Sequence, residues 1–284
     1  MMRIKKVALA FALVLVVVPA TAAPGLAEAE SAPIYLALGD SWAYGQGAAD
    51  PATSGYVPQL YRALREDLDC IPAVVEEAAD GCKQLQLVSL GRPATAALPG
   101  VTAPAVRDEQ LPMALSLLER NHDANPANDV EVITLHVGGN DVAGPIQAAC
   151  IGGLGAECIG TFIAEMTALQ ADLAFVVGTL RAAAGPDTPI VLGTYDNPVP
   201  FCDLAGIPGA IQLGALILEG TPDGTLPGVH DIVRAVAAAY DAEVAEVFGR
   251  LDAAGDWVGG SDCLHPTDSG YDEVTEAFEE ALGH

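Results

Sequence analysis

The chain has 284 residues, of which 51% are hydrophobic, so it can bury the core of one domain. Its formal net charge is −26, with 38 acidic against 12 basic residues, and Lys83 is the only lysine after Lys6. Such a surface repels nucleic acids and anionic membranes, so we expect neither as a partner.

The N-terminus has the layout of a secretory signal peptide. Three basic residues precede an uninterrupted apolar run from Val7 to Val18, and Pro19 and small residues follow it. The run is too short to span a bilayer, and we expect no later stretch to do so. We predict a signal peptide over residues 1–27, with cleavage between 22 and 29, and a single domain over residues 28–284. The protein is then secreted, without stable membrane insertion.

Short apolar segments alternate with helical patterns along the rest of the chain. In chain order, the apolar runs predict strands over residues 34–38, 85–90, 130–137, 190–195 and 243–248. Apolar spacings of three and four predict helices over residues 59–67, 110–120, 161–184, 232–241 and 268–282. The stretch 207–218 fits either a core helix or a loop over a binding crevice. This alternation predicts an α/β fold, with a parallel sheet that has helices on both faces.

Polar residues follow four of the five predicted strands. Ser41 follows the first strand, Gly91 the second and Asn140 the third, while Asp262 and His265 come after the fifth. Active sites of open parallel sheets lie at the carboxyl ends of the strands. These residues are therefore candidates for a common site.

Ser41, His265 and Asp262 have the residue types of a serine nucleophile, its base and an acid that orients the base. A serine hydroxyl attacks well only when a base takes its proton, and that base is usually a histidine held by a carboxylate. Asp262 precedes His265 by three residues and can reach it across a tight turn. Taken alone, Ser41 also fits a helix N-cap, and His265 also fits a surface loop.

Asn140 follows a pair of glycines, and this backbone can pass close to a bound group. Its amide would then present a hydrogen-bond donor to the oxyanion of a reacting ester. An ordinary glycine turn with a polar cap explains the same residues when they are considered alone.

Three ordered motifs in this chain resemble those of the SGNH (GDSL) hydrolases. They are Gly39-Asp40-Ser41, Gly138-Gly139-Asn140-Asp141 and Asp262-Cys263-Leu264-His265-Pro266, and together they cover nearly all of the mature chain. The resemblance implies a three-layer α/β/α, flavodoxin-like fold with about five parallel strands. It also implies Ser41 as nucleophile and oxyanion donor, Asn140 as a side-chain oxyanion donor, His265 as base and Asp262 as its partner.

The chain departs from the family at the second motif. Where the family usually has an asparagine-led segment with a donor glycine, this chain has Ser89-Leu90-Gly91-Arg92-Pro93-Ala94-Thr95. We assign the oxyanion donor to the Gly91 N–H, with Ala94 as the alternative because any non-proline N–H can donate. No metal-binding or nucleotide-binding motif is found, so no metal and no cofactor is expected.

Six cysteines in an oxidising compartment predict three disulfides. Cys70–Cys82 and Cys150–Cys158 are near in sequence and close small loops. Cys202–Cys263 then follows by elimination, and it also joins loops that leave neighbouring strands.

These observations predict a secreted, monomeric serine esterase or lipase that acts on a small-molecule or lipid ester. A carbohydrate O-acetyl esterase of the same fold is the first alternative. A non-catalytic extracellular binding protein is the second, and the presence of Ser41, Asn140, Asp262 and His265 argues against it.

Overall fold

A five-stranded parallel sheet forms the centre of the protein. The computed structural model describes residues 33–67, 85–92, 100–121, 128–150, 153–260 and 262–284. The strands are β1 (Ile34–Gly39), β2 (Gln86–Ser89), β3 (Val130–His136), β4 (Ile190–Gly193) and β5 (Glu243–Ala245), in the order β2-β1-β3-β4-β5. Every neighbouring pair is parallel. The predicted strands and the predicted fold class are thus confirmed.

Helices cover both faces of the sheet. They are α1 (Ser41–Tyr44), α2 (Pro51–Ser54), α3 (Tyr56–Asp67), α4 (Ala103–Ala105), α5 (Leu111–Asn121), α6 (Gly139–Cys150), α7 (Ala156–Ala184), α8 (Ala210–Glu219), α9 (Val229–Ala239) and α10 (Asp268–Leu282). Helices α3 and α10 pack together on one face, and α5, α7 and α9 pack side by side on the other. A short π-helical turn, Val106–Gln110, joins α4 to α5.

The predicted helices are present with shifted ends, and the open stretch 207–218 is largely the helix α8. Helix α6 was not predicted, because its two leading glycines and the internal Pro145 are typical of a turn. The packing of Val142 and Ile146 into the core stabilises a helix there despite the glycines and Pro145. Tertiary burial here overrides weak local propensity.

Helix α7 corrects one expectation about membrane spans. Its 29 residues are long and apolar enough to cross a bilayer by length and composition, although no such stretch was expected after the leader. One side of α7, including Phe162, Leu169 and Leu180, is buried in the core of the protein. Packing thus accounts for the apolar residues of this side, while others on the same helix, such as Phe175, are exposed. The predicted signal peptide lies outside the described residues.

Phe278 on α10 ties that helix to the sheet. It is fully buried, stacks on Tyr56 with 4.6 Å between ring centroids, and lies beside Gly193 of β4. Its contacts therefore connect α10 to α3 and to β4.

We expect Phe278→Ala to lower the free energy of unfolding by about 3–5 kcal/mol, because it removes a buried ring and leaves a cavity. The matched control is Phe175→Ala on α7, where the ring is 56% exposed and the same change should cost far less. Urea denaturation of both variants measures the difference. Equal costs would contradict the packing described for α10.

Candidate active site

The predicted nucleophile, Ser41, lies in a tight turn between β1 and α1. Gly39 ends the strand with a φ of +144°, and a Cβ there would lie 2.3 Å from the carbonyl oxygen of His136. Only glycine fits at this position. Asp40 then caps α1, because its Oδ1 accepts the Trp42 N–H at 2.9 Å. The turn leaves Ser41 as the first residue of α1.

A continuous hydrogen-bonded chain joins Ser41, His265 and Asp262. The Ser41 Oγ lies 2.9 Å from His265 Nε2, and His265 Nδ1 lies 2.5 Å from Asp262 Oδ1. An ionised carboxylate can only accept, so Nδ1 carries the proton and Nε2 is free to accept the serine hydroxyl. Ser41 and His265 are buried, whereas the Asp262 side chain is 43% exposed. The arrangement has the connectivity of a serine hydrolase triad.

Several contacts hold the loop that carries His265. The carbonyl oxygen of His265 accepts the Val258 N–H at 3.1 Å, and Trp257 pairs with Pro266 in an isolated antiparallel bridge. The indole Nε1–H of Trp42 donates to the Leu264 carbonyl at 3.0 Å. This last bond joins the base loop directly to the helix that begins with Ser41.

Asn140 is the second residue of α6, at the carboxyl end of β3. Its Nδ2 donates to the Val101 carbonyl at 3.0 Å, and a second, longer contact of 3.4 Å reaches Asp40 Oδ2. Next to it, the Asp141 carboxylate accepts the Ala103 N–H at 3.0 Å. Asn140 thus lies between the 101–103 segment and the nucleophile turn.

Gly91 lies against the helix of the nucleophile. A Cβ at Gly91 would be 2.7 Å from both the carbonyl carbon of Ala43 and the amide nitrogen of Tyr44. Within the described part of the chain, neither the Gly91 nor the Ser41 backbone N–H donates to a protein acceptor. The alternative donor, Ala94, lies outside the described residues.

Three residues of the site were not identified from the sequence. Gln110 pairs with both backbone groups of Gly39, accepting its N–H at 2.8 Å and donating to its carbonyl at 2.7 Å. Tyr195 donates its hydroxyl to Asp40 Oδ2 at 2.6 Å. Asp40 itself appeared in a motif, but only its position before Ser41 was considered. No spacing along the chain indicates these long-range partners.

Burial changes the charge state of several groups around the site. Burial raises the pKa of Asp40 to about 7, although the bonds from Tyr195 and Trp42 oppose it. Burial likewise raises the pKa of Asp141 to about 7. It lowers the pKa of His136 to about 3, so this histidine is neutral and donates Nε2–H to the Thr194 carbonyl at 3.0 Å. His136 is therefore a structural residue at neutral pH.

The structure contains the predicted disulfides Cys150–Cys158 and Cys202–Cys263, with Cα–Cα distances of 4.7 and 5.2 Å. The pair Cys70–Cys82 lies outside the described residues. Cys263 is two residues before His265, so the second disulfide ties the base loop to the segment after β4. Among the described residues, no three His, Cys, Asp or Glu side chains form a group that could hold a metal ion.

Comparison with known proteins gives both a family and structural neighbours. The sequence profile of the GDSL-like Lipase/Acylhydrolase family matches residues 37–273. Among curated proteins, no relative of this chain was found.

Three solved structures illustrate the similarity of fold. A lipase from a goat rumen metagenome is 18% identical, with a TM-score of 0.53 over 88% of this chain and 97% of its own. An extracellular lipase from Streptomyces rimosus is 19% identical, with a TM-score of 0.52 over 88% and 100%. An acetylxylan esterase from Geobacillus stearothermophilus is 13% identical, with a TM-score of 0.52 over 90% and 97%.

The Cys202–Cys263 disulfide generates a prediction about activity. We expect the double variant Cys202→Ala/Cys263→Ala to lose about tenfold in kcat/KM toward an ester, because small displacements of a catalytic base lower the rate strongly. Its far-UV circular dichroism spectrum should stay native.

The matched control is Cys150→Ala/Cys158→Ala, which removes the disulfide between α6 and α7. It should lose up to about 3 kcal/mol of unfolding free energy but keep its turnover when assayed well below its melting temperature. Full activity in the Cys202/Cys263 double variant would show that the disulfide does not orient His265.

Proposed function

The chain belongs to the GDSL-like lipase/acylhydrolase family, and from this membership we propose that it is a secreted serine hydrolase of carboxylic esters. The observation that carries the proposal is the hydrogen-bonded chain from Ser41 through His265 to Asp262. The two disulfides and the leader-like N-terminus support secretion, since disulfides persist in oxidising compartments.

In the first half of the reaction, Ser41 Oγ attacks the ester carbonyl carbon while its proton passes to His265 Nε2. Asp262 stabilises the imidazolium that forms. The tetrahedral intermediate then collapses: the bond to the alkoxy oxygen breaks, and His265 returns the proton to the departing alcohol. The product of this half is an acyl ester of Ser41.

Three donors would stabilise the oxyanion: the N–H groups of Ser41 and Gly91 and the Asn140 amide. The two backbone donors have no described protein acceptor. Both hydrogens of Asn140 Nδ2 already have a protein acceptor, so the oxyanion would replace one of these two contacts. The 3.4 Å contact to Asp40 is the weaker of the two and the easier to exchange.

In the second half, His265 takes a proton from water as the water attacks the acyl carbon. The same oxyanion donors act again, and collapse of this intermediate releases the carboxylic acid and regenerates Ser41. Every proton moves between Ser41, His265, water and the two products.

The side chains beside the catalytic pair favour an apolar ester. Leu264 is next to His265 and 52% exposed, Val258 donates its N–H to His265 and is 42% exposed, and Tyr44 on α1 is 40% exposed. Exposed apolar groups beside a reacting serine can bury the acyl or alcohol chain of a substrate. We therefore propose a lipid-like ester as substrate in preference to an acetylated carbohydrate.

We expect Ser41→Ala to lower kcat toward p-nitrophenyl butyrate by roughly 10⁴-fold or more, with a native circular dichroism spectrum. A fluorophosphonate should also label the wild-type protein on Ser41, forming an O–P bond as fluoride leaves. The matched control, Ser54→Ala on α2, should retain both activity and labelling. Near-wild-type turnover in Ser41→Ala would contradict the proposed nucleophile.

The apolar groups predict an acyl-length preference. The wild type should have a higher kcat/KM for p-nitrophenyl octanoate than for the acetate, and Leu264→Ser should lower this ratio about three- to tenfold, since each buried methylene contributes about 0.8 kcal/mol. Ile163→Ser, at a half-exposed position on α7, is the control and should leave the ratio unchanged. Release of acetate from acetylated xylan faster than hydrolysis of the octanoate would favour the carbohydrate esterase instead.

A further inference from the structure

Tyr195 lies beneath two separate parts of the active site. It follows β4 and is 5% exposed. Its ring packs edge-on against Trp42 of α1, with 5.1 Å between ring centroids, and a Cβ on Gly139 would lie 3.5 Å from the same ring. Tyr195 therefore contacts both the helix that begins with Ser41 and the turn that presents Asn140.

The hydroxyl of Tyr195 acts on a single acceptor, the carboxylate of Asp40. The bond to Asp40 Oδ2 is 2.6 Å long, typical of a charge-assisted hydrogen bond. The other oxygen, Oδ1, accepts the Trp42 N–H, and Oδ2 also faces Asn140 Nδ2 at 3.4 Å. One carboxylate thus joins the nucleophile turn, the oxyanion amide and the tyrosine.

We propose that Tyr195 is a positioning residue: by donating to Asp40 it holds the carboxylate in the orientation that aligns Ser41 and Asn140 with each other. This inference rests on the proposed ester hydrolysis. Without the hydroxyl, Asp40 Oδ2 keeps only the longer contact to Asn140, and the carboxylate rotates more easily about its χ2 angle, which is a soft torsion. Both the start of α1 and the Asn140 amide then lose a fixed partner.

The geometry makes this role distinct from simple packing. The ring contacts to Trp42 and Gly139 would remain in a phenylalanine at this position, so only the hydrogen bonds of the hydroxyl, to Asp40 and with the Gly139 N–H, are lost. Displacements well under 1 Å between reacting groups are enough to lower a rate by an order of magnitude. The effect is therefore expected in kcat rather than in KM.

The charge on Asp40 provides an independent readout. Burial raises its pKa to about 7, and the bond from Tyr195 lowers it, so removing the hydroxyl must raise it further. The titratable groups that face Asp40 are Asp141 on α6, Tyr56 on α3, Tyr271 on α10 and Tyr195 itself. His136 on β3 accepts the Asp40 N–H through its carbonyl and is neutral.

The first test compares Tyr195→Phe with Tyr35→Phe, which removes another buried tyrosine hydroxyl, one that pairs with Thr134 and not with Asp40. Tyr195→Phe should lower kcat about tenfold with KM within twofold of wild type. In a plot of kcat against pH, the acid limb of this variant should move to higher pH, because Asp40 then protonates at higher pH. Tyr35→Phe should shift neither kcat nor the limb. Wild-type kcat in Tyr195→Phe, or an acid limb that does not move, would overturn the proposal.

The second test is a double-mutant cycle with Asp40→Asn, which keeps an acceptor for the Trp42 N–H. If Tyr195 acts through Asp40, adding Tyr195→Phe to Asp40→Asn should change kcat by less than twofold. If Tyr195→Phe lowers kcat tenfold both in the wild type and in Asp40→Asn, the proposal that Tyr195 acts through Asp40 is overturned. Should Asp40→Asn not fold, the pH profile of Tyr195→Phe still decides. If the protein is not an ester hydrolase, this is recognised separately, because the wild type then shows neither ester turnover nor labelling of Ser41.

Discussion

The parallel pairing of β1 with β3 places Ser41, the proposed nucleophile, and the Asn140 amide at one point of the molecule. In this pairing Gly39 lies opposite His136, and the chain leaves the two strands toward opposite edges of the sheet. A crevice opens where strand order reverses in this way, and groups at the carboxyl ends of both strands face it. The register brings the His136 carbonyl so close to Gly39 that no side chain fits there. Gln110 closes the arrangement by bonding both backbone groups of Gly39.

The proposed base, His265, reaches this crevice from a distant part of the chain. His265 is 224 residues from Ser41 and lies on a loop after the last strand, so the sheet alone does not hold it in place. The Trp42 indole connects that loop to α1, and the Cys202–Cys263 disulfide connects it to the segment after β4. The bridge between Trp257 and Pro266 fixes the loop internally. Several independent restraints on one loop are what a base requires, because its distance to the serine must be held within a fraction of an ångström.

Three carboxylates inside the protein accept hydrogen bonds from uncharged N–H and O–H groups. Asp40 accepts from an N–H and a tyrosine hydroxyl, and Asp141 from the Ala103 N–H. Asp196 likewise accepts the backbone N–H groups of Gly249 and Leu251. Desolvation is costly for each carboxylate, and donors offset part of that cost by stabilising the ionised form. In a chain with a net charge of −26 and few cations, oriented N–H and O–H groups are the available means of holding these carboxylates near the candidate site.

The sequence by itself determined the five strands, five of the ten helices described, the residues of the three motifs and two of the cysteine pairings that the structure contains. These features follow from local periodicity, from glycine and proline positions, and from motifs whose residues are neighbours along the chain. Only the tertiary structure decided the strand order, the helix α6 and the partners of Asp40. Tyr195 and Gln110 meet Asp40 and Gly39 across 155 and 71 residues, respectively. Contacts of that kind depend on which strands are neighbours, and no spacing of residues along one chain records that.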